Sequence, residues 1–163
     1  MLILFFSLFF AVGLGLLAYA GYSAMRSKEA GTWPVAEGRL LSADLTSNSD
    51  SEGSTTYQVK VSYEYIVDGM TYTGDRLAFG YGGSSGQSAH QDILDKLRSG
   101  ETVAVRYSPA APQVSALSYG FHRSMQFLVA FGVTWLLFTS GMAFMFWLFS
   151  KPDHVLLNNL IVR

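Results

Sequence analysis

The chain has 163 residues with a net charge of −1, half of them apolar and 14% charged, against about 25% charged in ordinary soluble domains. That charge balance provides no basic footprint for nucleic acid. With no cysteine, disulfides, thiolate metal sites and a cysteine nucleophile are all excluded.

The charges are unevenly placed: residues 2–25 and 124–150 carry none. Residues 2–24 are rich in Leu and Phe, and Arg26 and Lys28 end the run. At about 1.5 Å per residue this run is long enough to cross a hydrocarbon core of about 30 Å. A cleaved signal peptide is the competing reading, helped by Ala18 and Ala20. The run's length and the lack of a basic residue before it favour a retained helix. Small residues at Ala11, Gly15 and Ala18 fall on one helical face, as do Ala130 and Thr134 in the second apolar stretch. Such spacing suits close helix packing, either between the two spans or against a homodimer or partner helix. No ionisable residue interrupts either span, which argues against an ion path or transporter.

The expected organisation is a first span at 1–25, a β-rich domain at 26–123, a second span at 124–150 and a short tail at 151–163. Two spans place both termini on one side. Lys and Arg near the spans lean toward a cytoplasmic middle domain, but that bias holds for loops under roughly 60 residues, so the side stays open.

Within the middle domain, a first strand is expected from Val35 to about Leu45, followed by a polar, mobile loop at 46–54. Tyr57, Val59, Val61, Tyr63, Tyr65 and Val67 then alternate with more polar positions, the pattern of a strand with one buried face. Asp68 and Gly69 suit a two-residue type I′ turn. That turn would pair Val67 with Met70 and Tyr65 with Tyr72. Residues 80–86, GYGGSSG, read as a flexible loop. Ser88 and Gln91 have capping-box spacing, Ala89, Ile93, Leu94 and Leu97 form an apolar helix stripe, and Gly100 is a natural stop. Thr102 to Tyr107 is a further strand. Pro109 and Pro112 predict an extended turn, then an edge strand at Val114 to Leu117. The expected fold is thus two transmembrane α-helices flanking a small, mainly β domain of five or six strands, barrel-like or a curved sheet, with one short helix.

Trp33-Pro34-x-x-x-Gly38, the alternating Tyr57–Tyr65 strand, Asp68-Gly69-x-x-Tyr72 and Gly100-x-x-Val103-x-Val105-x-Tyr107-x-Pro109-x-x-Pro112, set between two spans, resemble the bacterial membrane family called domain of unknown function 3592. The resemblance covers roughly residues 30–120. It implies an architecture and a bacterial inner-membrane setting, and it carries no activity, cofactor or site residues. The polar loop 46–54 and the Gly/Ser-rich stretch 80–86 are longer or looser than the pattern requires.

Gly82-x-Ser84-x-Gly86 matches the nucleophile elbow, with His90 and Asp92 close by. An elbow, however, belongs to a large α/β sheet with distant triad partners, so no catalytic residue is assigned. His90, His122 and His154 are too scattered for zinc. His90 is expected on an exposed helix flank and His122 at the membrane surface. No metal or cofactor is expected. The function expected is a non-enzymatic, membrane-anchored protein-interaction module, an accessory subunit of an envelope complex. Its expected partners are the lipid bilayer and a protein partner or further copies of itself, with no nucleic acid. The candidate interaction loop is Gly80, Tyr81, Gly82, Gly83, Ser84, Ser85 and Gly86. An immunity-type protein that neutralises a toxin at the membrane is one alternative. A small-molecule or lipid sensor using a cavity in the β-domain, lidded by this loop, is another.

Overall fold

A computed structural model describes residues 2–51 and 53–161. Met1, Glu52, Val162 and Arg163, which belong to the expected first span, polar loop and tail, lie outside the described residues. The element order is α1 (Leu2–Ala30), β1 (Val35–Ser49), β2 (Thr55–Val67), β3 (Met70–Gly74), α2 (Gln87–Arg98), β4 (Val103–Ser108), β5 (Ala111–Ala116), α3 (Arg123–Phe149) and α4 (His154–Asn159). The chain divides into two compact units, the outer helical parts up to Ala18 and from Val129, and the segment Tyr19–Leu128.

In the helical unit, α1 and α3 run antiparallel. Phe9 stacks on Trp135 with centroids 5.5 Å apart, and the Trp135 indole N–H donates to the Phe9 carbonyl at 2.9 Å. The indole N–H, the ring's one donor, therefore has a partner on the facing helix. Two glycines lie close against the facing helix. A Cβ on Gly13 would lie 2.5 Å from Leu136 Cδ2, and one on Gly132 would lie 2.8 Å from Leu17 Cδ2. Both helices are long and apolar enough to cross a membrane, and only 17% and 11% of their most apolar windows are buried. A soluble core helix would bury most of such a window. Large apolar side chains such as Leu8, Phe138 and Phe149 are exposed instead.

The second unit contains one antiparallel five-stranded sheet in the order β3-β2-β1-β4-β5. The buried face of β2 is the expected one: Val59, Val61, Tyr63, Tyr65 and Val67 join Ala43, Leu94 and Val105 in the core. Each valine and leucine among them contributes roughly 1.5–3 kcal/mol on burial. The β2–β3 hairpin has the expected register, Val67 opposite Met70 and Tyr65 opposite Tyr72. Asp68 and Gly69 both have positive φ, at 52° and 79°, as a type I′ turn requires.

The sheet curls until its two edges meet. Leu117 N–H donates to the Arg76 carbonyl at 3.2 Å and Ser118 N–H to the Leu77 carbonyl at 2.7 Å. Inside the curl, the fully buried Tyr63 hydroxyl bonds the Arg76 carbonyl at 3.1 Å and Ser115 Oγ at 3.0 Å. Gly74 makes this approach possible, since a Cβ there would sit 2.5 Å from the Tyr63 ring. Closure satisfies edge groups that would otherwise stay open.

Four local expectations are corrected. Residues 46–49 are strand rather than loop, because Thr46, Ser47, Asn48 and Ser49 pair with Gln58, Tyr57, Thr56 and Thr55. The Ser88–Gln91 capping box does not form: α2 begins at Gln87 with Gly86 as its cap, and the Gln91 amide bonds Asp95 instead. Ala89 is exposed, and His90 takes its place on the buried stripe with Leu94. Pro112 lies within β5, the turn being confined to Pro109 and Ala110. The stop falls as expected: α2 ends at Arg98 with Ser99 as its cap and Gly100 just beyond it.

Candidate functional site

The loop 80–86 is tied to β2 and α2 rather than left flexible. Ser84 forms an isolated bridge with Tyr57, its carbonyl accepting from Tyr57 N–H at 2.7 Å and its N–H donating back at 3.0 Å. Gly80, with φ 70°, packs against Ser23 and Met125. Tyr81 Oη accepts the Val59 N–H at 3.1 Å and lies 2.7 Å from His90 Nδ1. His90 Nε2 lies 2.9 Å from Ser84 Oγ. His90 is 5% exposed, against the expectation of an exposed flank, because position 90 falls on the same helical face as Leu94 and Leu97.

Proton placement decides what this chain of bonds can do. Tyr81 Oη already accepts from Val59, and we assign its own proton to His90 Nδ1. His90 then carries its proton on Nε2 and donates to Ser84 Oγ. In this direction every buried proton has an acceptor, and the imidazole presents no lone pair to Ser84. Burial lowers the His90 pKa below its ordinary value and raises that of the Tyr81 phenol, so both are neutral near pH 7. Asp92 lies about 200° round the helix from His90 and is exposed. The elbow-like sequence thus brings Ser84 and His90 together, with Tyr81 in the place of a triad carboxylate. Among the described residues, no group of three or more His, Asp or Glu side chains converges as a metal site. His122 bonds the Phe79 carbonyl at 2.8 Å through Nε2.

Two further features border the loop. On one side is an open recess of about 260 Å³, lined by Tyr19, Gln58, Lys60, Asp75, Arg76 and Tyr81 among others. Loop residues 80 and 81 edge it as the sequence suggested, but its cationic wall has no signature in spacing, because it joins α1, β2 and the segment after β3. The second feature is the free edge of β1. Val59 N–H and both backbone groups of Tyr57 point away from β1. Their ladder partners Leu45 and Ser47 must therefore direct their own N–H and C=O groups away from β2. The next residue of the same set, Ala43, gives its carbonyl to Arg98 at 2.7 Å. Strand β4 pairs only with Val35 to Gly38, so Leu45 and Ser47 have no neighbouring strand among the described residues.

The expected helix-packing residues Ala11, Gly15, Ala18, Ala130 and Thr134 are all exposed. Contact between α1 and α3 runs through Gly13 and Gly132 instead. The two glycines carry the same small-residue signal, offset by two positions.

A curled antiparallel β-domain held in sequence between two long apolar helices is the class of protein that this fold defines. Its residues 36–122 match the family described as domain of unknown function, DUF3592, and the chain belongs to that family. No curated protein and no solved structure matches it.

Proposed function

We propose that the protein is a non-enzymatic, membrane-anchored interaction module, an accessory subunit of a bacterial envelope complex, with both apolar helices retained in the bilayer. The observation that carries this reading is the free β1 edge at Leu45 and Ser47. It offers a row of backbone donors and acceptors to an added strand from a partner, with alternate side chains available for selectivity. The β1–β2 ribbon is long, regular and polar at its tip, where Ser47, Asn48 and Ser49 are exposed. A long open edge is a pairing hazard that soluble domains usually blunt with lysine, proline or a bulge. None of these occurs at 45–49.

The Tyr81–His90–Ser84 chain supports the non-enzymatic part of the reading. It uses Ser84 as an acceptor and fixes the loop beside the ribbon, a scaffolding task. The exposed face bearing Ala11, Gly15 and Ala18 adds room for a partner helix in the membrane. Purification of the intact protein in mild detergent, with mass spectrometry and an untagged control, tests the proposal. One protein enriched at near-equal amount is expected, and a toxin as that protein would place the chain in the immunity subclass. A lone monomeric species under the same gentle extraction would contradict the proposal.

A further inference from the structure

We infer that the recess beside Tyr81 binds the phosphate of an anionic phospholipid headgroup. The inference rests on the membrane reading above and adds a ligand to it.

The recess holds two cations with no competing partner. Lys60 projects from the outer face of β2 and is exposed, while Arg76 is half-buried. Among the described residues neither forms an ion pair, and nor does Asp75, the one carboxylate in the wall. Asp44, which faces Lys60 across the β1–β2 ladder, is instead engaged by Arg98 at 3.2 Å. The wall therefore carries two positive charges and one negative, which fits a ligand with a single negative charge.

The guanidinium is held in place before any ligand arrives. It lies 4.6 Å from the Phe79 ring centroid and reaches the Ser115 carbonyl at 3.4 Å. These contacts limit its rotamers and leave further N–H groups of the fork for phosphate oxygens. Holding the fork ready lowers the ordering cost of binding.

Location and size then select the source of the phosphate. Tyr19, one wall of the recess, belongs to the uncharged stretch that ends only at Arg26. Tyrosines at the end of a span sit at headgroup level, so the recess opens at the lipid–water boundary, where basic groups attract acidic lipids. At about 260 Å³ it is smaller than the roughly 300–1,000 Å³ of sites that enclose a drug-sized molecule. It can take a phosphate and glycerol while the acyl chains stay in the bilayer.

The test uses the intact protein in detergent. Alkaline carbonate extraction of the source membranes comes first: a protein released to the supernatant would overturn the membrane reading itself. With the protein retained in the pellet, binding of water-soluble dihexanoyl phosphatidylglycerol is followed by native mass spectrometry, beside dihexanoyl phosphatidylcholine and inorganic phosphate. Saturable binding of the anionic lipid is expected, weakened roughly 30-fold in the Lys60→Gln/Arg76→Gln double variant, the effect of two basic groups near a charged lipid. A charge-matched control, Arg39→Gln/Lys96→Gln, should bind as the parent does. Equal weakening in the control, or no saturable binding by the parent, overturns the inference. Inorganic phosphate binding as tightly as the lipid would overturn the lipid assignment in favour of a free-phosphate site.

Discussion

Replacing Tyr81 by Phe removes one oxygen and keeps the ring, so its effect isolates the hydrogen-bond chain. Two buried groups lose their partner. Val59, 2% exposed, loses the acceptor of its N–H at 3.1 Å, and His90 loses the donor to Nδ1 at 2.7 Å. An orphaned buried donor costs about 1–3 kcal/mol and a lost neutral hydrogen bond about 1 kcal/mol, so local stability should fall by about 2–4 kcal/mol. Ser84→Ala removes only an exposed acceptor, which water can replace, and should cost about 1 kcal/mol or less. Hydrogen exchange by mass spectrometry on the intact chain reads both. Peptides covering residues 57–60 and 80–86 should exchange about 30- to 900-fold faster in Tyr81→Phe and only a few-fold faster in Ser84→Ala. If the two variants exchanged alike, or if Ser84→Ala were the more disruptive, the proton direction assigned here would be wrong. Ser84 would then deserve testing as a nucleophile with a serine-reactive probe.

Gly74→Ala should destabilise the β-domain by about 1–3 kcal/mol through overpacking, lowering Tm by roughly 5–15 °C. Its Cβ would meet the anchored Tyr63 ring at 2.5 Å and Ser115 Oγ at 2.6 Å, whereas Gly82→Ala, with nothing within 4 Å, should be near neutral by the same circular-dichroism melt. The His90 pKa is lowered by burial from 6.5, so the unfolded chain binds a proton on this side chain that the folded domain resists. Stability from this group is therefore complete above about pH 7 and is lost progressively as pH falls through 6.5 toward the folded value. A melt series from pH 8 to pH 5 should show this slope in the parent and a flatter one in His90→Gln; equal slopes would assign the loss to other groups.

The parts of the fold set by short-range chemistry were legible in the sequence. The alternation of Tyr57 to Val67 and the Asp68-Gly69 turn determine face and register together, because a slip of one residue would turn every core tyrosine outward. The two apolar helices follow from the lack of charge. What depended on pairing across the chain was not legible. Residues 46–49 look like a loop on their own and become strand only because Thr55 to Gln58 lie opposite. Ser88 could have capped a helix, but the chain enters α2 two residues earlier, with Gly86 as the cap, and His90 lies under the loop. The pairing of Ser84 with His90 was visible as a motif. Tyr81 as the third member was not, since its role comes from the Val59 N–H, 22 positions away. The recess draws residues from three separate segments, and no spacing rule links Tyr19 to Lys60 and Arg76.

The central claim, that the open β1 edge recruits a partner, is tested most directly by Ser47→Pro. The Ser47 N–H points away from β2, so proline removes a donor that the ladder does not use and leaves the β1–β2 pairing intact. The account predicts a Ser47→Pro protein that is still membrane-embedded, melts within a few degrees of the parent, and has lost the co-purifying partner in mild detergent. Undiminished recovery of that partner at the parent's stoichiometry would contradict it.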